Sequence, residues 1–219
     1  MKIDRHGQAK ILSSDELERL FEVGLQTNRD REATYRALFS ICLYTACRIR
    51  EASTLLTKDV YVRKGIILPE IIFRKGNTKG KLATRAIPVI EDLRQVLLNY
   101  HPHGRSHFLF PGLKKGTHVH PDSASRVLRK ACQRVGIVGA STHSFRRTAL
   151  TRMSDAGIPL RVIQEVSGHR NLEQLQRYLE VHPDQIRGAV SALSGLNSGK
   201  TSHALTDLAD RIDGHSSLF

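Results

Sequence analysis

The sequence predicts a mainly α-helical domain with one small antiparallel β-sheet or hairpin, and three observations carry that prediction. Apolar residues recur at helical spacing in stretches opened by Ser, Asn or Pro and closed by Gly. Two runs rich in β-branched residues, 66–74 (IILPEIIFR) and 84–90 (TRAIPVI), flank a turn rich in Gly and Lys, KGNTKGKLA. The length of 219 residues with 40% hydrophobic residues suits one core, or one core and a small appendage.

The elements follow in order. Residues 1–11 are polar and basic and read as a loose arm. Ser13 with Glu16 three residues on forms a capping box, and Leu17, Leu20 and Phe21 make one apolar stripe, so a first helix runs from near residue 14 to Gly24. Residues 31–45 are apolar on most sides, the pattern of a central buried helix. A short polar helix is expected at 48–56, the β-hairpin at 66–90 and another helix at 91–99. Residues 101–121 form a long connection anchored by the apolar FLFP. Val127, Leu128, Ala131, Cys132 and Val135 share one face of a helix over 122–135. A helix at 143–156 stops at Gly157, and Pro159 opens another that Gly168 closes. Asn171 caps a helix running through Tyr178, and Pro183 opens a further one. Residues 194–203 read as a linker, followed by a last apolar stripe of Leu205, Leu208, Ala209 and Ile212.

Charge narrows the function. Lys and Arg total 34 against 21 Asp and Glu, a net charge of +13, which points to a polyanionic partner and first to nucleic acid. The start, MKIDRHGQAK, lacks the apolar stretch of a secretory signal, and no apolar run approaches the roughly 18 residues of a membrane span. Three cysteines (Cys42, Cys47, Cys132) fit no disulfide framework and suit a reducing cytoplasm. They fall in apolar helices and read as core. His101, His103, His107, His118 and His120 have no neighbouring Cys and no H-E-x-x-H, so they read as a polar connection and no metal site is expected.

TACRIRE (45–51), TKGK (78–81), HSFRR (143–147) and SGHRNLEQLQRYLE (167–180) carry residues suited to phosphodiester chemistry. The transition state gathers negative charge on the non-bridging oxygens. Planar guanidinium groups neutralise it through paired hydrogen bonds that Lys cannot copy. A nucleophile and a proton donor for the leaving alkoxide complete the set. Arg48 and Arg146 supply the clamps, His143 lies one turn before Arg146 on the same helix face, and His169 and Tyr178 follow.

In order and spacing these stretches resemble the catalytic domain of the tyrosine recombinase (phage integrase) family over roughly residues 12–190. The family's T-G-x-R with a Glu three residues on is matched by Thr45-Ala46-Cys47-Arg48 and Glu51. Its H-x-x-R is matched by His143 and Arg146, 95 residues beyond Arg48. Its G-H dipeptide with a tyrosine nine residues after the His is matched by Gly168-His169 and Tyr178. The resemblance implies the DNA breaking-rejoining fold and a site-specific recombinase or integrase of a mobile element that cleaves DNA through a covalent 3′-phosphotyrosyl link.

On that resemblance Tyr178 is the nucleophile, Arg48 and Arg146 stabilise phosphoryl charge, His143 assists proton transfer from Tyr178, and His169 bonds the phosphate. Glu51 orients Arg48. The general-acid lysine is one of Lys75, Lys79 and Lys81 in the basic turn, with Lys79 the first choice because its TKG context and Arg85 at the exit fit the family's hairpin best. Lys75, Lys81, Arg85 and Arg147 are expected to contact DNA, and Ala46 stands where the family usually has Gly. The implied partner is double-stranded DNA, bound by a tetramer on paired sites, and no cofactor is implied because the phosphotyrosine conserves bond energy. The expected division is an arm at 1–11, the catalytic domain at 12–193, and a linker with a C-terminal segment at 194–219 that docks on a neighbouring subunit. Many members carry a core-binding domain ahead of the catalytic one. Only about a dozen residues precede the first helix here, so the chain is expected to be either trimmed or a minimal recombinase. Two rival readings are a non-catalytic DNA-binding relative, against which the full Arg–His–Arg–His–Tyr set argues, and a type IB topoisomerase-like relaxing enzyme, whose tyrosine context differs.

Overall fold

Ser13 opens the first helix as the sequence predicts: its side chain accepts from the Glu16 amide while Glu16 reaches back to the Ser13 amide. The computed structural model describes residues 9–27, 29–63, 65–77, 84–100, 107–176 and 183–193. Helix α1 (Ser14–Arg19) passes at Leu20 into a wider π-type turn ending at Gly24, so the expected single helix changes pitch midway. Gly24 lies against the helix at Pro121–Arg134, where a Cβ would sit 2.9 Å from the Ala131 carbonyl oxygen.

Helix α2 (Arg29–Tyr44) is the central helix. It packs against α3 (Ile49–Ser53), α4 (Glu91–Leu98) and α6 (Thr142–Asp155). Leu38, Phe39, Ile41 and Cys42 on it are fully buried, and Phe39 stacks on Phe145 of α6 at 5.1 Å between ring centroids. Helix α3 is shorter than the expected 48–56, because the chain leaves it at Thr54 for a 3₁₀ turn at Thr57–Asp59.

The expected single sheet is two. Pro69 has no amide to donate and splits the first β-branched run. Before it, β2 (Ile66–Ile67) folds back on β1 (Tyr61–Arg63), a hairpin the periodicity missed. After it, β3 (Glu70–Phe73) pairs antiparallel with β4 (Arg85–Pro88) in the register Phe73 opposite Arg85. The turn between them, predicted from its Gly and Lys content, lies outside the described residues from 78 to 83.

The connection after α4 is anchored by its apolar residues: Leu109 and Phe110 are fully buried, and the Leu109 amide donates to the Leu55 carbonyl at 2.8 Å. Helix α5 (Pro121–Arg134) and α6 match the sequence within one or two residues. Helix α7 (Leu160–Ser167) follows Pro159 and ends at Gly168 with φ +64°, the left-handed cap that Gly takes at no steric cost. Helix α8 spans Leu172–Gln176. A small second cluster of Ala46, Leu150, Ile163 and Leu175 ties α6, α7 and α8 to the turn after α2. The chain separates into two compact units at residues 179 and 180, and the second contributes helix α9 (Pro183–Ser191). Tyr178, Lys79, Lys81 and residues 194–219 lie outside the described residues.

Candidate active site

The site begins where α2 ends. The Thr45 hydroxyl and amide both donate to the Ile41 carbonyl, closing the helix. Ala46 then takes φ +50°, the only described non-glycine residue in the left-handed region. That conformation directs the Ala46 carbonyl oxygen to Arg146, whose guanidinium donates to it at 2.6 Å. Arg48 follows in extended conformation at the start of α3.

Glu51 sits one turn into α3 with 2% exposure and receives four hydrogen bonds. The Arg48 amide donates to Oε2 at 2.9 Å and the Arg48 guanidinium reaches Oε1 at 3.4 Å. From β4, Arg85 grips both oxygens, at 2.9 Å to Oε2 and 3.4 Å to Oε1. Burial alone raises the Glu51 carboxyl pKa. The hydrogen bonds and charge of Arg85, with those of Arg48, outweigh it and hold the group below its ordinary value. One carboxylate thus stands among three guanidinium groups, those of Arg48, Arg85 and Arg146, leaving an excess of positive charge that an anion would satisfy.

Arg146 is 2% exposed on α6. Burial first, and the neighbouring charge of Arg48 next, lower its pKa to about 10, so it remains cationic at neutral pH. Its second terminal nitrogen lies 3.0 Å from His169 Nε2 and 3.2 Å from Nδ1. His169 is held by the α7 terminus: Nδ1 is 2.7 Å from the Ser167 hydroxyl, and the Gln164 amide nitrogen donates to the His169 carbonyl at 3.2 Å. The Arg146 guanidinium thus faces both ring nitrogens, while the Ser167 hydroxyl also donates to the Gln164 backbone carbonyl at 3.3 Å. Burial and then the charge of Arg146 lower the His169 pKa to about 3, so this ring is neutral. Ser167 and Gln164 were not singled out from the sequence. The Ser directly before Gly168-His169 was the one available signal.

Arg48, Glu51, Arg146 and His169 are therefore brought together. His143 is exposed in the first turn of α6, one turn before Arg146, with its amide donating to Ser141 Oγ at 3.3 Å. Lys75 is exposed in a 3₁₀ turn just after β3, and its amide donates to Thr84 Oγ1 at 3.2 Å.

Two residues expected to contact DNA lie inward. Arg85 points inward: its side chain is 12% exposed, pairs with Glu51, and lies 4.6 Å from the Phe73 ring centroid. Arg147 is 8% exposed and donates to the Ala9 carbonyl at 2.8 Å, so it holds the N-terminal segment to α6. Their motifs alone suggest a contact with DNA. The pleat of β4 and the third residue of a buried helix turn carry them into the interior instead. The three cysteines are buried, and burial pushes the Cys132 thiol up to about 11. Among the described residues no group of three or more His, Cys, Asp or Glu is placed to hold a metal ion, and no helix is long and apolar enough to cross a membrane.

Tyrosine recombinase XerD of Corynebacterium glutamicum is 29% identical over 157 residues, covering 69% of this chain and 50% of that protein. Tyrosine recombinase XerA of Pyrococcus furiosus is 29% identical over 187 residues, covering 83% of this chain and 60% of that protein. The chain thus spans about half the length of the curated relatives it matches. In fold it is similar to the Tn1549 transposon integrase solved with a circular intermediate DNA, with a TM-score of 0.66 and 19% identity over 89% of this chain and 68% of that one. The phage integrase family matches residues 10–185, and the chain belongs to that family.

Proposed function

We propose that this chain is the catalytic part of a tyrosine-type site-specific DNA recombinase, which cleaves and rejoins strands through a 3′-phosphotyrosyl intermediate. The observation that carries the reading is the direct contact of three distant motifs. Arg146 bonds the Ala46 carbonyl, 100 residues away in the turn that presents Arg48, and meets His169 of the G-H dipeptide on its other edge. Bound phosphate would complete the charge that Glu51 leaves unbalanced. The names of the relatives and the DNA in the integrase complex support the same chemistry.

In this mechanism Arg48 and Arg146 stabilise the phosphoryl oxygens as charge develops. Tyr178 attacks phosphorus and the 5′-oxygen leaves, taking a proton from Lys79. His143, exposed beside Arg146, takes the Tyr178 proton. His169 is neutral, lies against the edge of the Arg146 guanidinium and bonds the phosphate beside it. The phosphotyrosine stores the energy of the broken bond, so resealing needs no nucleotide. Lys75 and Lys81 supply positive charge toward the DNA backbone. The catalytic domain ends near residue 193, and the basic arm at 1–11 and the segment at 194–219 flank it. The enzyme works in the cytoplasm on nucleoid DNA, as a tetramer on paired sites whose C-terminal segments dock on neighbouring subunits. Sizing the DNA complex with and without residues 195–219 tests that exchange.

A nicked duplex that loses its short downstream piece on cleavage traps the intermediate. The protein is expected to give a denaturation-resistant DNA adduct in EDTA without ATP. A dependence of strand cleavage on Mg²⁺, or DNA binding with no adduct, would return the chain to the non-catalytic class.

A further inference from the structure

Arg85 stands outside the motifs that define the site, yet it is the strongest partner of Glu51. It fills both carboxylate oxygens, whereas Arg48 contributes its amide at 2.9 Å and one guanidinium contact at 3.4 Å. The Arg48 side chain is 24% exposed, so its guanidinium keeps donors to offer an incoming phosphate. The reason lies in competition. A buried carboxylate beside a single arginine takes that guanidinium in a paired, fork-to-fork grip. With Arg85 gripping it from β4, Glu51 has no such demand left for Arg48.

The same guanidinium lies against the turn that carries His169. A Cβ on Gly168 would sit 2.8 Å from an Arg85 terminal nitrogen, so Gly at this position lets Arg85 approach the α7 terminus. The Phe73 ring, opposite Arg85 in the β3–β4 register, supports the side chain from below at 4.6 Å. Arg85 therefore links β4 to two segments that present site residues: the start of α3 through Glu51 and the end of α7 through Gly168.

We propose that Arg85 is a positioning residue for strand cleavage, satisfying Glu51 so that Arg48 stays available to the scissile phosphate, and bracing the turn that holds His169. This inference rests on the recombinase reading. Removing Arg85 leaves Glu51 to capture the Arg48 guanidinium, which withdraws a phosphate clamp without touching DNA. Removing the Glu51 charge as well releases Arg48 again.

The test is single-turnover cleavage of the nicked duplex at saturating DNA by wild type, Arg85→Lys, Arg85→Met and the double variant Arg85→Met/Glu51→Gln, at a temperature where circular dichroism shows each folded. The double variant replaces both members of the buried pair, so it is expected to keep the fold even if the single methionine variant is weakened. Arg85→Met is expected to bind DNA within about 3-fold of wild type but to cleave at least about 10-fold more slowly, short of the 10²–10³ that loss of a direct clamp costs. Arg85→Lys should fall between them, because it keeps charge but not the fork. The double variant should cleave several-fold faster than Arg85→Met. Cleavage by Arg85→Met at the wild-type rate overturns the inference, as does a double variant no faster than the single one, the result for a merely structural pair. Loss of DNA affinity in place of cleavage rate would restore Arg85 as a DNA contact and also overturn it. A wild-type protein that forms no adduct overturns the recombinase reading and this inference together.

Discussion

Replacing Glu51 by glutamine removes one charge from a residue that is 2% exposed and lies among three guanidinium groups. Glutamine keeps the size and one acceptor, so the Arg48 amide at 2.9 Å stays satisfied. What is lost is the ionic grip of Arg85 at 2.9 and 3.4 Å. Breaking one side of a buried pair costs about 3–5 kcal/mol. Arg85 and Arg48 keep 12% and 24% of their side-chain surface in water, which places this pair at the low end, about 3 kcal/mol. For a chain of 219 residues, that corresponds to a fall in Tm of roughly 6–12 °C. The sign with pH follows from the lowered carboxyl. Its stabilisation is complete above the unfolded value near 4.5 and is lost as pH falls through the folded value. Wild type and Glu51→Gln should therefore differ most at pH 7 and draw together as pH falls below 4.5 toward the lowered folded value. Thermal unfolding followed by circular dichroism across that range measures both. A fall of less than about 2 °C at pH 7, or a gap that persists unchanged in acid, would refute the reasoning.

Further outcomes are expected at three positions. Ala46→Gly exchanges about 1–2 kcal/mol of left-handed strain against about 0.8 for a buried methyl and about 0.4–1 for extra unfolded-state freedom, so its Tm should stay within a few degrees. Ala46→Val, β-branched in the same conformation and packed against Leu150 and Ile163, should lose more than about 2 kcal/mol; a tolerated valine would mean that the positive φ is not required. In ¹⁵N-histidine NMR, His169 should stay neutral from pH 8 to 5, because its pKa is lowered to about 3; titration near 6.5 would contradict its burial against Arg146. Its stability contribution runs the same way, present above the unfolded value near 6.5 and lost as pH falls. Arg147→Ala should lose about 1.5–3 kcal/mol of stability with its bond to Ala9, yet leave the salt dependence of DNA binding unchanged; a slope reduced by about 0.9 would make Arg147 a phosphate contact after all.

The helices were legible because their signals are local. Ser13 with Glu16, Pro159 with Gly168 and the apolar face of α5 each specify an element within a few residues. The strands were less so: 66–74 reads as one β-branched run, and only pairing partners far apart in sequence reveal that its halves join different hairpins. Arg48, Glu51, Arg146 and His169 were found because motif spacing survives in the sequence. The destination of Arg85 and Arg147 was not, because the direction of an arginine side chain is set by what it meets across the fold, here Glu51 and the Ala9 carbonyl. The Ser167–His169 bond was hidden for the same reason: its value comes from burial.

The most direct test of the proposed chemistry is the identity of the residue that carries DNA. After trapping on the nicked duplex in EDTA, digestion and mass spectrometry are expected to find the nucleotide on Tyr178. The Tyr178→Phe variant should bind the same duplex with wild-type affinity and give no adduct. An adduct on another residue, or one that persists in Tyr178→Phe, would contradict the tyrosine mechanism.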